Sequence, residues 1–258
     1  MTRLPLTVSN SLLILAAWLL LTVGVGQWLS PGPQQALADT VTNGIGLPWV
    51  LAIVLLCGVI KVHGDPRALG LRAPPQAVSW RLVWLPLAYA SAMLALDMLN
   101  GLPPQRVLVF VAINTALVGL SEELMFRGVL FTGFLSRFTI WPAMLLSSAV
   151  FGAAHALNVF TTGLWDAALL QSVCAFLQGF GYLAIRIRTG SLWPMTLVHA
   201  MWDFSLMSAA LAPRSETSAP ANAALFGPIL IALPLFLYGL YLMRGHSARV
   251  QLSTETKR

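Results

Sequence analysis

Apolar residues dominate this chain in stretches of about twenty, the length that carries a helix across roughly 30 Å of bilayer hydrocarbon. Eight such stretches run along it, at about 11–29, 46–62, 82–100, 107–136, 141–159, 166–187, 191–211 and 222–243. Polar segments such as HGDPRALGLRAPPQAVSW (63–80) and PRSETSAPANA (213–223) separate them. The fourth stretch is too long for one straight span, since at about 1.5 Å per residue it reaches ~45 Å. The pattern predicts that it tilts, or breaks near Arg127-Gly128. The predicted fold is all-α: a polytopic integral membrane protein of about eight transmembrane helices.

The basic residues orient it. With the N-terminus inside, the cytosolic side holds Arg3, Lys61, Arg67, Arg72, Arg81, Arg137, Arg186, Arg188, Arg244, Arg249, Lys257 and Arg258. The outer side holds only Arg106 and Arg214, and Arg127 lies within a span. Positive charge collects on the cytosolic side of membrane proteins. Both termini are therefore expected in the cytosol, and an odd number of spans would destroy the asymmetry. Trp28, Trp49, Trp80, Trp84, Trp141, Trp165 and Trp193 fall at predicted span ends, where indoles prefer to sit. The first apolar run is longer than the roughly 7–15 residues of a signal peptide's hydrophobic region, so it is read as an uncleaved span despite the ALA at 36–38.

Composition changes the picture only by excluding classes. The chain is 57% hydrophobic and 9% charged, against roughly 25% charged in soluble domains, and its mean hydropathy is +0.77. A soluble enzyme is excluded. The net charge of +6 fits anionic headgroups rather than nucleic acid, so the lipid bilayer is the expected partner and nucleic acid is not. Cys57 and Cys174 both lie in apolar runs, as packing residues rather than a disulfide.

A few polar residues sit where lipid should be. Asp97 lies near the outer end of its span and is expected to reach the interface. Glu122, Glu123, Arg127, His155, Asn158, His199 and Asp203 are deeper. Glu122 is fifteen residues from Arg137, His155 fourteen from Trp141, His199 eight from Ser191 and Asp203 twelve. Helical rise puts all four at roughly 12–22 Å from the inner face. Charged groups at such depth are costly and usually face a polar interior, so three spans presenting them at overlapping depth predict a shared hydrated pocket. Glu123 and Arg127 stand at i, i+4 with the acid first, the favourable order for an ion pair. Glu122 points about 100° away, which makes it the free carboxylate suited to general acid–base work. Phe151 precedes His155 by one turn, and Asn158 follows it by nearly one.

EELMFR (122–127), FGAAH (151–155) and HAMWD (199–203) resemble, in order and on separate spans, the three motifs of the CPBP family. That family comprises type II CAAX prenyl endopeptidases and bacteriocin-processing or immunity proteins. The likeness covers about residues 107–205. It implies a glutamate-dependent, metal-free intramembrane peptidase whose cavity opens to the cytosol. Carried over by position, Glu122 and His155 would activate the attacking water. His199 and Asp203 would stabilise the oxyanion, while Glu123 and Arg127 would position the motif; Phe151 and Asn158, about one turn either side of His155, are read from their spacing as further positioning residues. Position 203 is Asp where CAAX-processing members carry Asn. An ionised carboxylate only accepts hydrogen bonds, so Asp203 would donate only if protonated, or would instead accept from His199 and fix its tautomer.

On this reading residues 1–106 hold three helices and the cytosolic loop 63–80, 107–211 form the catalytic core, and 212–258 hold the last helix and a polar tail. The substrate is expected to be a peptide or membrane-associated protein, and the location the cytoplasmic membrane, multi-pass. No cofactor is expected. Zinc stays open as an alternative, because two histidines and a glutamate could hold it with one open position, although no H-E-x-x-H motif is present. A non-catalytic immunity or scaffold protein and a proton-coupled transporter are the other readings. Oligomeric state cannot be read.

Overall fold

In the computed structural model every one of the eight apolar stretches is helical, and no strand occurs among the described residues, which are 5–29, 32–74, 77–212 and 221–244. The helices are α1 (Val8–Leu29), α2 (Leu47–His63), α3 (Trp84–Asn100), α4 (Gln105–Leu135), α5 (Ile140–Ala156), α6 (Trp165–Thr189), α7 (Trp193–Leu211) and α8 (Ala221–Leu242). Among the described residues five helical stretches are long and apolar enough to cross a membrane. Large apolar side chains such as Leu13, Leu20, Val54, Leu99 and Leu230 point outward, which in water would be prohibitive and in lipid is expected. This is a multi-pass helical membrane protein. Arg3, Arg214, Arg249, Lys257 and Arg258, most of the 213–223 loop and the tail from 245 lie outside the described residues.

The long fourth stretch does not break at Arg127-Gly128. It continues to Leu135 by widening into a π-helical segment over Glu123–Leu130. The N–H of Phe131 reaches back five residues to the carbonyl of Phe126, the π pattern. Ser147 of α5 donates a second hydrogen bond to that carbonyl at 2.8 Å.

The two ends of the bundle differ. At one, the loop after α2 folds under the helix ends: Arg186 donates to the carbonyl of Ala68 at 2.8 Å, Arg72 to that of Gly190 at 2.9 Å, and Leu192 N–H to that of Gly70 at 2.9 Å. Leu69 is fully buried there. At the other, the α1–α2 connection dips between helices. Asn114 of α4 holds it, donating to the carbonyls of Val41 and Gly44 and accepting from Gly46 N–H at 2.7 Å. Gln35 N–H donates to the carbonyl of Thr161 at 3.0 Å. Irregular backbone at membrane depth is tolerated only inside protein or against a wet cavity, and Asn114 supplies the partners that water would otherwise provide.

Trp28, Trp80, Trp84, Trp165 and Trp193 are exposed near helix ends, as expected. Trp18 is not. It is 3% exposed and donates to Ser121 at 2.8 Å, which ties α1 to the residue before Glu122. Two expectations fail. Asp97 does not reach the surface but is buried, with one carboxylate oxygen lacking a partner among the described residues. Cys57 faces outward rather than packing inside, while Cys174 is half-buried; both are free.

Candidate functional site

Gly119 sets the distance between α4 and α7. A Cβ there would stand 3.0 Å from the backbone nitrogen of Ala200, so glycine lets His199 approach the glutamates without the two helices shifting apart. His199 Nδ1 then lies 2.8 Å from Glu123 Oε1. Because a carboxylate only accepts, Nδ1 carries the proton of that bond. Its other nitrogen, Nε2, lies 3.6 Å from Glu122 Oε2 and 3.5 Å from Asp203 Oδ2, within ion-pair range but longer than a direct hydrogen bond. Asp203 therefore does not fix the tautomer of His199; Glu123 does.

Both glutamates face one imidazole, which the α-helical 100° step did not anticipate. The π turn rotates successive residues by less and brings Glu122 and Glu123 to opposite nitrogens of the ring. π-bulges within α-helices are frequent at functional sites. Glu123 also meets Arg127, whose Nη1 lies 3.2 Å from the same Oε1. Glu123 is fully buried and Arg127 is 1% exposed. Three carboxyl groups and one guanidinium share this pocket, so protons on His199 or on the acids must supply the remaining neutralisation.

Phe151 serves two neighbours. Its ring lies under the guanidinium, 3.9 Å from Arg127 Cζ, a close cation–π contact. Its carbonyl accepts from His155 Nδ1 at 2.9 Å. That bond leaves the lone pair of His155 on Nε2, the arrangement of a base. Gly179 of α6 makes room, since a Cβ there would come within 2.8 Å of the Phe151 ring and 3.2 Å of Arg127 Nη2. Gly179→Ala is expected to destabilise the protein by about 1–3 kcal/mol, as overpacking does, and to lower activity beyond the lost folded fraction. Thermal melts beside rates per folded molecule check this; an unchanged rate per folded molecule would show that the Phe151 platform is irrelevant to function.

A cavity of about 830 Å³ reaches this cluster, and Glu122, His155, Asn158 and Asp203 lie on its wall. Asn158 does not touch the ionic cluster; it donates to Gln171 at 2.9 Å across the cavity's rim. Asn114, Trp18 and Gln171 were not singled out from sequence, since isolated polar or aromatic residues in apolar helices carry no spacing signal. Tyr182 was also missed. It is buried, its ring centre 5.8 Å from that of His199, and its hydroxyl has no partner among the described residues.

The elements that converge here, from α4 to the middle of α7, are those of residues 104–205, which match the family described as type II CAAX prenyl endopeptidase Rce1-like. This core is Rce1-like. No curated protein matches the chain. The Rce1-like segment contains all three motifs, including Glu122, His155 and His199, and leaves α1–α3 and α8 outside the match. Part of that flanking region nevertheless lines the site: Trp18 and Thr22 of α1 and the Asn114-held connection wall the cavity of the Rce1-like core.

Proposed function

We propose that this chain is an intramembrane endopeptidase using a water activated by Glu122 and His155. The observation that carries the reading is the joint placement of Glu122 and His155 on one cavity wall, with His155 Nδ1 committed to the Phe151 carbonyl. A general base must lie within reach of the water it deprotonates, and both groups border the same space. In the proposed step water attacks the scissile carbonyl and its proton passes to Glu122 or His155. The carbonyl oxygen becomes an oxyanion facing His199 and Asp203. His199 would donate through Nε2, its positive charge balanced by Glu123, whose own orientation Arg127 holds. Asp203 would donate only while protonated. The proton then moves to the departing amine as the C–N bond breaks. Phe151 orients both Arg127 and His155, and Asn158 holds the cavity rim through Gln171. The expected setting is the cytoplasmic membrane, and the expected substrate a peptide or a membrane-associated protein.

The scheme invokes no zinc. Among the described residues no three His, Cys, Asp or Glu side chains form a metal-binding group. The test is hydrolysis of a quenched random-sequence peptide library by the purified protein in detergent, with and without a strong chelator. Hydrolysis indifferent to chelator is expected. No hydrolysis above an empty-membrane preparation would reject the peptidase, and chelator-induced loss restored by Zn²⁺ would replace the water-activation scheme with a metal one.

A further inference from the structure

We infer that Tyr182 is a positioning residue of this site: its ring and that of Phe151 together fix the plane of the His199 imidazole, and so the direction in which Nε2 points. The consequence for catalysis rests on the peptidase reading above, in which Nε2 donates to the oxyanion; the placement of the ring does not.

The bond from His199 Nδ1 to Glu123 holds one edge of the imidazole but leaves the ring free to swing about it. A swing that moves Nε2 by about 1 Å is the scale of misplacement that costs an enzyme roughly 10²-fold. Two aromatic rings oppose that swing. Phe151 of α5 meets the imidazole with 6.2 Å between ring centres and 89° between planes, and Tyr182 of α6 meets it at 5.8 Å and 63°. Edge-to-face contacts at about 4.5–7 Å are an arrangement that aromatic rings prefer. The imidazole is thus held from α5 and α6 as well as by its bond to α4.

The same two rings hold Arg127. Its Cζ lies 3.9 Å from the Phe151 ring centre and 5.7 Å from that of Tyr182, the second still within the ~6 Å over which a guanidinium and a ring attract. Arg127 and His199, the two partners of Glu123, therefore share one aromatic enclosure. The Tyr182 hydroxyl makes no hydrogen bond among the described residues, so the contacts that tie this side chain to the site are those of its ring.

Helix α8 keeps the ring in place. Tyr182 follows Gly181, where a Cβ would stand 2.5 Å from the carbonyl oxygen of Leu235, and a Cβ on Gly239 would stand 2.9 Å from the Gly181 Cα. Phe180 packs on Phe236 with ring centres 4.8 Å apart. Backbone against backbone at this step leaves α6 little freedom to slide or turn, and Tyr182 is buried. Helix α8 lies outside residues 104–205, so this support for His199 comes from beyond the Rce1-like segment.

The test compares Tyr182→Phe, which keeps the ring, with Tyr182→Leu and Tyr182→Met, which replace it by an apolar chain. Rates are taken per folded molecule in detergent, on a single peptide chosen from those cleaved in the library above. Tyr182→Leu is expected to lower kcat roughly 10- to 100-fold with KM nearly unchanged, and Tyr182→Phe to recover most of that loss. Full activity in Tyr182→Leu would overturn the positioning role. A Phe variant as poor as the Leu variant would move the effect to the hydroxyl and overturn the role of the ring. If neither Leu nor Met variant folds while the Phe variant does, the ring serves the fold rather than the site, and the assignment is lost.

A second measurement needs no hydrolysis. The chain is labelled with ¹⁵N-histidine and placed in bilayers for magic-angle-spinning NMR, its His199 signals identified by their loss in His199→Gln. One sharp Nδ1–H signal is expected from His199 in the parent and in Tyr182→Phe. In Tyr182→Leu that signal is expected to shift or split, with those of His155 unmoved. Unchanged His199 signals in Tyr182→Leu would overturn the positioning role whatever the rates show. A parent that cleaves nothing, but whose His199 signal still responds to loss of the ring, rejects the peptidase reading and keeps this one.

Discussion

Glu122→Gln is expected to lower kcat by roughly 10²–10⁴-fold, the range a positioned acid–base group supplies, while the protein stays folded and inserted. The substitution keeps the volume and the contact with the His199 side of the pocket but removes the ability to take a proton. Glu122 Oε2 has no hydrogen-bond partner among the described residues and approaches His199 only to 3.6 Å, so the fold does not depend on a tight bond there. An amide can occupy the position, and melting should shift little. KM should stay near its original value, because what is lost is used in the transition state rather than in binding. Peptides that enter but are not cleaved would then be retained, so the variant serves equally to capture substrate from membranes. Full activity in Glu122→Gln would remove the residue from water activation and transfer that role to His155 alone.

Arg127→Ala is expected to have the opposite profile, with most folded protein lost and activity lost with it. The guanidinium holds Glu123 at 3.2 Å and rests on the Phe151 ring at 3.9 Å. Breaking a buried pair by deleting one partner costs about 3–5 kcal/mol, against a total stability of roughly 5–15 kcal/mol. Glu123 would be left with His199 as its sole counter-ion, and the Phe151 ring would lose the group packed against it. The double variant Arg127→Met with Glu123→Gln is expected to recover folded yield, since removing both charges relieves the unpaired one, but not activity, because His199 loses its orienting carboxylate. Folded yield and melting temperature measured for the single and double variants close the cycle. Normal yield in Arg127→Ala, or no recovery in the double variant, would show that the ion pair does not support the fold.

Helix by helix, the apolar pattern was a reliable guide because lipid enforces it. A span must satisfy all its backbone hydrogen bonds internally and face hydrocarbon on its outer side, so α2 at Leu47–His63 and α7 at Trp193–Leu211 fall within two residues of the hydropathy boundaries. Depth estimated from helical rise likewise brought Glu122, His199 and Asp203 to overlapping heights, and they meet in the structure. Asp97 failed by the same method, since depth along a helix does not say which way a residue faces.

What the residue order determined by itself was therefore one-dimensional: which stretches are helical, which end of each carries positive charge, and at what height the acids and imidazoles sit. The tertiary structure alone decided their facing. The π turn at Glu123–Leu130 places both glutamates on one imidazole, Gly119 and Gly179 permit the close approaches that hold it, and Asn114 draws a connecting loop over the cavity. These depend on contacts between residues far apart in the chain, where rotation about a helix axis and the spacing between helices are set by packing rather than by hydropathy.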